Sequence, residues 1–241
     1  MKKFNDLIFE NKQRNNKYNK IIDFTYLKND VTVDKIKEVC EIAKKYNFYS
    51  VCVKPEYVSY SKQFLMDSDI KVVTVISFPK GNDKTKDKIS QIEDSIIYGV
   101  DEIDMVMDYK LLKSLSKITD SEKYEQKINI IKNELFSVAR LCHGINSVIL
   151  KIIIETGDLT LEQIKLSCDI CVETGVDYVM TSTGLSKNGA EESKVRFMRK
   201  ILPDSIKIKA SGGIRTLNDI EKFVNNGADR IGTSSNPYLL S

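Results

Sequence analysis

The sequence predicts an α/β protein folded as a (β/α)8 TIM barrel. Two observations carry this. Short β-branched runs alternate with helical periodicity along all 241 residues, and a Gly-x-Asp pattern recurs where a helix gives way to a strand. The three copies are Gly99-Val100-Asp101, Gly175-Val176-Asp177 and Gly227-Ala228-Asp229. Glycine suits the left-handed residue past a helix end. The last two copies lie 52 residues apart, or about 26 per unit if two units separate them, the size of a βα repeat. An open doubly wound sheet competes, but Asp23-Phe24-Thr25-Tyr26-Leu27 stands where that fold carries a glycine-rich dinucleotide turn.

In chain order, residues 2–20 are polar and are expected to form a leading helix and connector. Strands are expected at Ile21–Phe24, Tyr49–Val53, Lys71–Ser77, Glu102–Met107, Val148–Glu155, Tyr178–Ser182, Lys207–Ser211 and Arg230–Thr233, each a short run rich in β-branched residues. Apolar residues at helical spacing fill the intervals, as at Val33–Tyr46, Lys86–Tyr98, Glu122–Cys142 and Leu161–Thr174. Thr32 and Thr160 are suited to cap the first free amides of their helices. No linker or low-complexity stretch interrupts the pattern, so residues 1–241 are expected to form one domain.

Composition excludes several functions. A net charge of only +3 leaves no broad nucleic-acid footprint. No apolar run approaches the roughly 18 residues of a membrane span, and the basic start has no apolar segment after it that would make a secretory signal. Five cysteines, an odd number, fit reduced thiols in the cytosol. Cys168 and Cys171 form a C-x-x-C inside a helix with no second pair, which fits packing better than metal or redox chemistry. The only histidine, His143, is expected at a helix end or surface.

In a barrel of this kind the chemistry sits at the C-terminal ends of the strands, and side chains alternate in and out. Lys151, Ile153 and Glu155 share a face, as do Tyr178, Met180 and Ser182, then Lys207, Lys209 and Ser211, then Glu102, Asp104 and Val106. A charge on a barrel strand is costly unless paired or functional. Lys151 and Asp104 lie in apolar runs and are expected to point inward, and Lys209 likewise. Inward lysines on strands 5 and 7 would bracket Met180. Such neighbours suit an amine there, because a lysine nucleophile must fall from about 10.4 to roughly 7 to 8, a difference worth about 4 kcal/mol.

At the other end of the site, Ser211-Gly212-Gly213-Ile214-Arg215 follows strand 7 and Gly232-Thr233-Ser234-Ser235 follows strand 8. Glycines let backbone amides approach an anion, and the loops after strands 7 and 8 are the common phosphate site of such barrels. Gly184 can add a further amide.

The ordered stretches Ile22-Asp23-Phe24-Thr25, Val51-Cys52-Val53-Lys54-Pro55, Phe78-Pro79-Lys80-Gly81, Asp101 to Val106, Lys151 to Gly157, Thr181-Ser182-Thr183-Gly184, Lys209 to Arg215 and Gly232 to Ser235 resemble the deoxyribose-phosphate aldolase family from Ile21 to Asn236. The resemblance implies a metal-independent, cofactor-free class I aldolase, a lyase of deoxyribonucleotide catabolism. The family reversibly joins acetaldehyde and glyceraldehyde 3-phosphate into 2-deoxyribose 5-phosphate. It implies phosphorylated sugar and small aldehyde substrates, a cytoplasmic setting, a homodimer or tetramer, and neither nucleic-acid nor membrane partners. By motif, Asp104 corresponds to the acid/base aspartate, Lys209 to the second lysine and Lys151 to another active-site lysine. Gly184, Gly212, Gly213, Gly232, Ser234 and Ser235 fall on phosphate-loop positions, and Asp23 and Thr25 on first-strand positions near the site.

Departures are specific. Met180 occupies the position of the Schiff-base lysine, and a thioether cannot form an imine. Leu185 stands where some members place a phosphate-binding lysine, with Lys187 two residues on. Lys54 and Lys80 are extra cations at the ends of strands 2 and 3. Tyr238 lies too near strand 8 to serve as the tail tyrosine of some members. Three readings of Met180 follow: an altered Schiff-base position, engineered or otherwise, in a true aldolase; a divergent aldolase using Lys151 or Lys209; or a non-catalytic phosphosugar-binding or regulatory paralogue. A barrel doing non-aldol acid/base chemistry through Asp23 and Asp104 is a further alternative. The chain is expected to bind phosphosugars and to cleave them poorly or not at all.

Overall fold

The computed structural model describes residues 17–29, 31–144, 147–235 and 237. Eight parallel strands close into a barrel in the order β1 to β8. They are β1 (Ile22–Tyr26), β2 (Ser50–Val53), β3 (Lys71–Ile76), β4 (Glu102–Val106), β5 (Ile149–Ile153), β6 (Tyr178–Met180), β7 (Lys207–Ser211) and β8 (Arg230–Thr233). The principal α-helices among the described residues are α1 (Val33–Tyr46), α2 (Val58–Phe64), α3 (Thr85–Ile97), α4 (Tyr109–Ser114), α5 (Ser121–Gly144), α6 (Leu161–Thr174), α7 (Glu192–Ile201) and α8 (Leu217–Asn225), with short 3-10 turns at Pro55–Tyr57, Leu115–Lys117 and Thr156–Asp158. Residues 17–19 are helical and the rest of the expected leading helix lies outside the described residues.

The expected caps form. Thr32 Oγ1 accepts from the Lys35 amide at 3.2 Å, and Thr160 makes a reciprocal capping box with Gln163 at the start of α6. Gly175 ends α6 at φ 72°, a left-handed conformation that glycine adopts without strain.

The aspartate of each Gly-x-Asp copy has a second job that the pattern alone did not disclose. The Asp101 carboxylate accepts from the Val72 amide at 2.7 Å, Asp177 from Leu150 at 2.8 Å, and Asp229 from Ile208 at 2.8 Å. In each case the aspartate's own amide donates back to the same residue's carbonyl. The device clamps the start of one strand to its predecessor and fixes the register of three of the eight pairings.

The main hydrophobic core lies between barrel and helices, where Val51, Val72, Ile103, Leu150, Ile152, Val179, Ile208 and Ile231 face outward against the helix stripes. Cys168 and Cys171 are buried in this core on α6, and burial pushes the Cys168 thiol up to about 12. Among the described residues no helix is long and apolar enough to cross a membrane.

Strands 3, 4, 5 and 6 stop earlier than their apolar runs suggested. Ser77 and Glu155 adopt left-handed backbones at φ 53° and 57°, which break the extended conformation just past β3 and β5. Glu155 therefore does not continue the face of Lys151 and Ile153. It turns out of the strand and serves a loop.

Candidate active site

Inside the barrel, alternate residues bring six charged groups together. Asp23 comes from β1, Glu102 and Asp104 from β4, Lys151 from β5, Lys209 from β7 and Arg230 from β8. All are 5% exposed or less. Lys151 Nζ lies 2.9 Å from Asp104 Oδ1 and 2.6 Å from Glu102 Oε2. Lys209 Nζ lies 2.6 Å from Asp104 Oδ2 and 2.5 Å from Asp23 Oδ2. Arg230 spans Asp23 at 2.9 Å and Glu102 at 3.2 Å, and donates to the Tyr178 hydroxyl at 3.1 Å. Three carboxylates thus meet three cations, and the buried set is neutral. Removing one partner would strand a charge in a dry interior.

Geometry fixes the ionisation of the two lysines. Burial by itself would lower the Lys151 ammonium, but Asp104 and Glu102 outweigh it and hold the group well above the ordinary lysine range. The same contest, with Asp104 and Asp23 prevailing, raises Lys209. Asp23 runs the other way: burial would raise it, while Lys209 and Arg230 hold it far below the usual carboxylate range. Both amines are locked as ammonium donors at neutral pH, and a protonated amine is not a nucleophile. Cys52, with Sγ 3.9 Å from Asp104 Oδ2, has its thiol pushed far up by burial and by that carboxylate.

Met180 lies two residues beyond Tyr178 on β6, the residue whose hydroxyl accepts from Arg230 in this network. It is 5% exposed and packs with Val106, Tyr109 and Ile153, against which Phe78 rests. Its register partners are Ile153 on β5 and Lys209 on β7. Lys151 pairs instead with Tyr178, two residues lower on the strand. The expected bracketing of Met180 by two lysines is therefore lopsided: Lys209 flanks it at its own level, and an isoleucine occupies the other side.

A cleft of about 480 Å³ opens at the C-terminal end of the barrel. Thr25, Gly184, Gly212, Gly213, Gly232, Ser234 and Ser235 all line it, together with Phe78, which rests against the apolar cluster of Met180. Asp23, Asp104, Lys151, Met180 and Lys209 do not line it; all five are buried in the barrel interior. Gly212 stands at φ 94°, and a Cβ there would come within 3.0 Å of Gly189 Cα and 3.3 Å of Gly184 Cα, so the loops after β6 and β7 touch backbone to backbone. At Gly232 a Cβ would meet Ser211 Oγ at 2.9 Å and Lys209 Cε at 3.0 Å. Glycine there leaves room for Lys209 to cross the barrel to Asp23.

The chain matches the model of the DeoC/LacD family aldolases over residues 17–235. It is 41% identical over 222 residues to a deoxyribose-phosphate aldolase of Caldicellulosiruptor saccharolyticus, covering 92% of this chain and 96% of that one. It is 38% identical over 226 residues to the deoxyribose-phosphate aldolase of Ureaplasma urealyticum serovar 10, covering 94% and 99%. The chain belongs to the DeoC/LacD aldolase family. The crystal structure of a candidate deoxyribose-phosphate aldolase from Coccidioides immitis superposes with a TM-score of 0.82 at 34% identity, covering 95% of this chain and 92% of that one. The tetrameric deoxyribose-phosphate aldolase of Aeropyrum pernix shares the fold at a TM-score of 0.82 and 24% identity, covering 99% and 96%.

Several residues of this candidate site escaped sequence reasoning. Arg230 completes the charge balance against Asp23 and Glu102, the latter expected on the face of Asp104 but given no role; Tyr49 stacks 3.4 Å under the Arg230 guanidinium and donates to Glu102 at 2.9 Å, and Ser50 donates to Asp23 at 2.6 Å. An inward charge on each of β1, β4 and β8 was the available signal for Arg230, since buried carboxylates need cations. Among the described residues, Lys28 and Arg215 are the cations that line the cleft, whereas Lys54, Lys80 and Lys187 do not line it. Lys54 donates to Asn29 at 3.3 Å instead.

Proposed function

We propose that this chain is a deoxyribose-phosphate aldolase-like protein whose covalent step is disabled at Met180. In this reading it takes 2-deoxyribose 5-phosphate, or the glyceraldehyde 3-phosphate and acetaldehyde from which that sugar is made, in the cleft over the barrel. The phosphate lies against the loops of Gly184, Gly212, Gly213, Ser234 and Ser235, with Thr25 on the facing strand. The reacting carbons lie toward the apolar layer of Val106, Ile153 and Met180. Asp104, shared between two ammonium groups, is the group suited to hold or pass a proton there.

The observation that carries the reading is the ion pairing of both remaining lysines. A Schiff base needs an unprotonated amine, and Lys151 and Lys209 are each clamped between two carboxylates at 2.5 to 2.9 Å. Recruiting either would require giving up two charge-assisted bonds in the barrel interior. The reading in which one of them replaced the missing nucleophile is therefore not favoured. A regulatory or assembly paralogue that has given up the substrate site is not favoured either, because the neutral ion network and the cleft are both intact. A homodimer or tetramer forms part of the same proposal, and light scattering on the purified protein checks it.

The test pairs borohydride trapping with a retro-aldol assay on 2-deoxyribose 5-phosphate. No adduct and no turnover in the chain as it stands, with both gained by Met180→Lys, supports the proposal. Normal turnover with Met180 in place sinks it. A labelled Lys151 or Lys209 would transfer the chemistry to that residue.

A further inference from the structure

Glu155 touches none of the reacting groups and does not line the cleft, yet its position is costly. It is 1% exposed and holds a left-handed backbone at φ 57° and ψ 59°, which a side chain with a Cβ rarely adopts. Both carboxylate oxygens are engaged by the loop after β6. Oε2 accepts from the Thr183 amide at 3.2 Å and from Thr183 Oγ1 at 2.7 Å, and Oε1 accepts from Ser186 Oγ at 2.9 Å. Thr183 Oγ1 in turn accepts from the Leu185 amide at 3.2 Å. One buried carboxylate thus fixes both sides of Gly184, and through Thr183 it orients the peptide units that wall the cleft.

The same seam continues outward. Thr156, next in the chain, donates its amide to the Thr181 carbonyl at 2.8 Å, and the Ala190 amide donates to the Gly212 carbonyl at 3.0 Å. The left-handed turn is what brings the Glu155 carboxylate under the loop. A residue continuing β5 would point into the barrel beside Ile153.

We propose that Glu155 is a positioning residue for the anion end of the cleft. It takes up the Thr183 amide directly and the Leu185 amide through Thr183 Oγ1, and so sets the loop with the Gly184 amide left to face a phosphate monoester; it thereby determines preference for phosphorylated over unphosphorylated sugars. This rests on the phosphosugar reading given above and deepens it. The strain at Glu155 is offset by three hydrogen bonds to a carboxylate, which are stronger than bonds to a neutral acceptor.

Two measurements separate this proposal from the reading it rests on. Calorimetric titration with 2-deoxyribose 5-phosphate and with 2-deoxyribose is performed on the unaltered chain, on Glu155→Gln and on Thr183→Val. Glu155→Gln keeps the shape but replaces one acceptor oxygen by an amide nitrogen. It is expected to weaken the phosphorylated sugar about tenfold, with the unphosphorylated sugar unchanged. Thr183→Val is expected to do the same, and the double variant no more than either alone. Amide hydrogen exchange on the ligand-free proteins is expected to quicken at Thr183, Leu185 and Ser186 in Glu155→Gln, with the core strands unchanged. A faster-exchanging loop with unaltered affinity overturns the role of Glu155 in binding. Unaltered exchange overturns the positioning itself. If the unaltered chain binds neither sugar, the phosphosugar reading falls and takes the binding role with it, while the exchange result still reports whether Glu155 holds the loop.

Discussion

Met180 and Lys209 are register partners on adjacent strands, and the ammonium of Lys209 is bound to Asp104 and Asp23. An amine introduced at position 180 would enter an apolar layer of Val106, Tyr109 and Ile153, beside an ammonium already fixed in place. Both desolvation and the like charge favour its neutral form. Met180→Lys is therefore expected to give a reactive amine near neutral pH and to raise retro-aldol turnover by about a thousandfold or more. A borohydride-dependent mass gain on the peptide spanning position 180 and an aldehyde-release assay check this; an inert, fully protonated amine there would count against it.

Lys209→Met removes one cation from a neutral set of six. Asp23 retains Arg230 and Asp104 retains Lys151, but the buried set becomes net negative. The expected cost is about 3 to 5 kcal/mol of stability, read as a lower urea midpoint at unchanged slope. A loss below about 1 kcal/mol would mean that the network tolerates the missing charge.

Acid and alkali should act on the same network from opposite sides. Asp23 is held below its unfolded value, so its contribution is complete above about 3.9 and is lost as the pH falls further. Lys151 and Lys209 are held above theirs, so their contributions are complete below about 10.4 and are lost as the pH rises beyond it. Thermal melting against pH is expected to show these groups contributing a plateau between those limits. In Lys209→Met the alkaline decline should shrink.

Gly212→Ala tests the contact between the loops after β6 and β7. The residue stands at φ 94°, and the added methyl would meet Gly189 and Gly184 backbone at 3.0 and 3.3 Å. A loss of about 1 to 2 kcal/mol is expected from the backbone conformation alone. Phosphosugar affinity should fall with it, measured by titration. Unchanged affinity would place the anion elsewhere.

Asp229→Ala removes one of the three strand clamps. The Ile208 amide loses its carboxylate acceptor while keeping its place at the start of β7, for an expected cost of about 1 to 2 kcal/mol. Chemical denaturation reads the cost, and ligand binding should be unaffected, since the clamp lies at the far end of the strand from the cleft.

Much of this was legible along the chain. Alternating β-branched runs and helical stripes give eight units because each strand must bury a face and each crossover must return to a parallel neighbour. Lys151, Lys209 and Asp104 point inward as their apolar flanks require. The glycines after β6 and β7 and Gly232 near the end of β8 line one cleft, because parallel strands bring all their C-terminal ends to the same side. The sequence by itself determined those things, since they depend on period and chain direction. Tertiary structure decided the rest. Only closure of the barrel set Arg230 against Asp23 and Glu102, residues up to 207 positions apart, and turned six scattered charges into a neutral set. Only strand register put Ile153 rather than Lys151 beside Met180. Only the left-handed turn at Glu155 took an inward-facing carboxylate out of the barrel and under the next loop. Pairing energies between distant groups depend on distances that no local pattern encodes, and these pairings hold both lysines as charged donors beside the thioether of Met180.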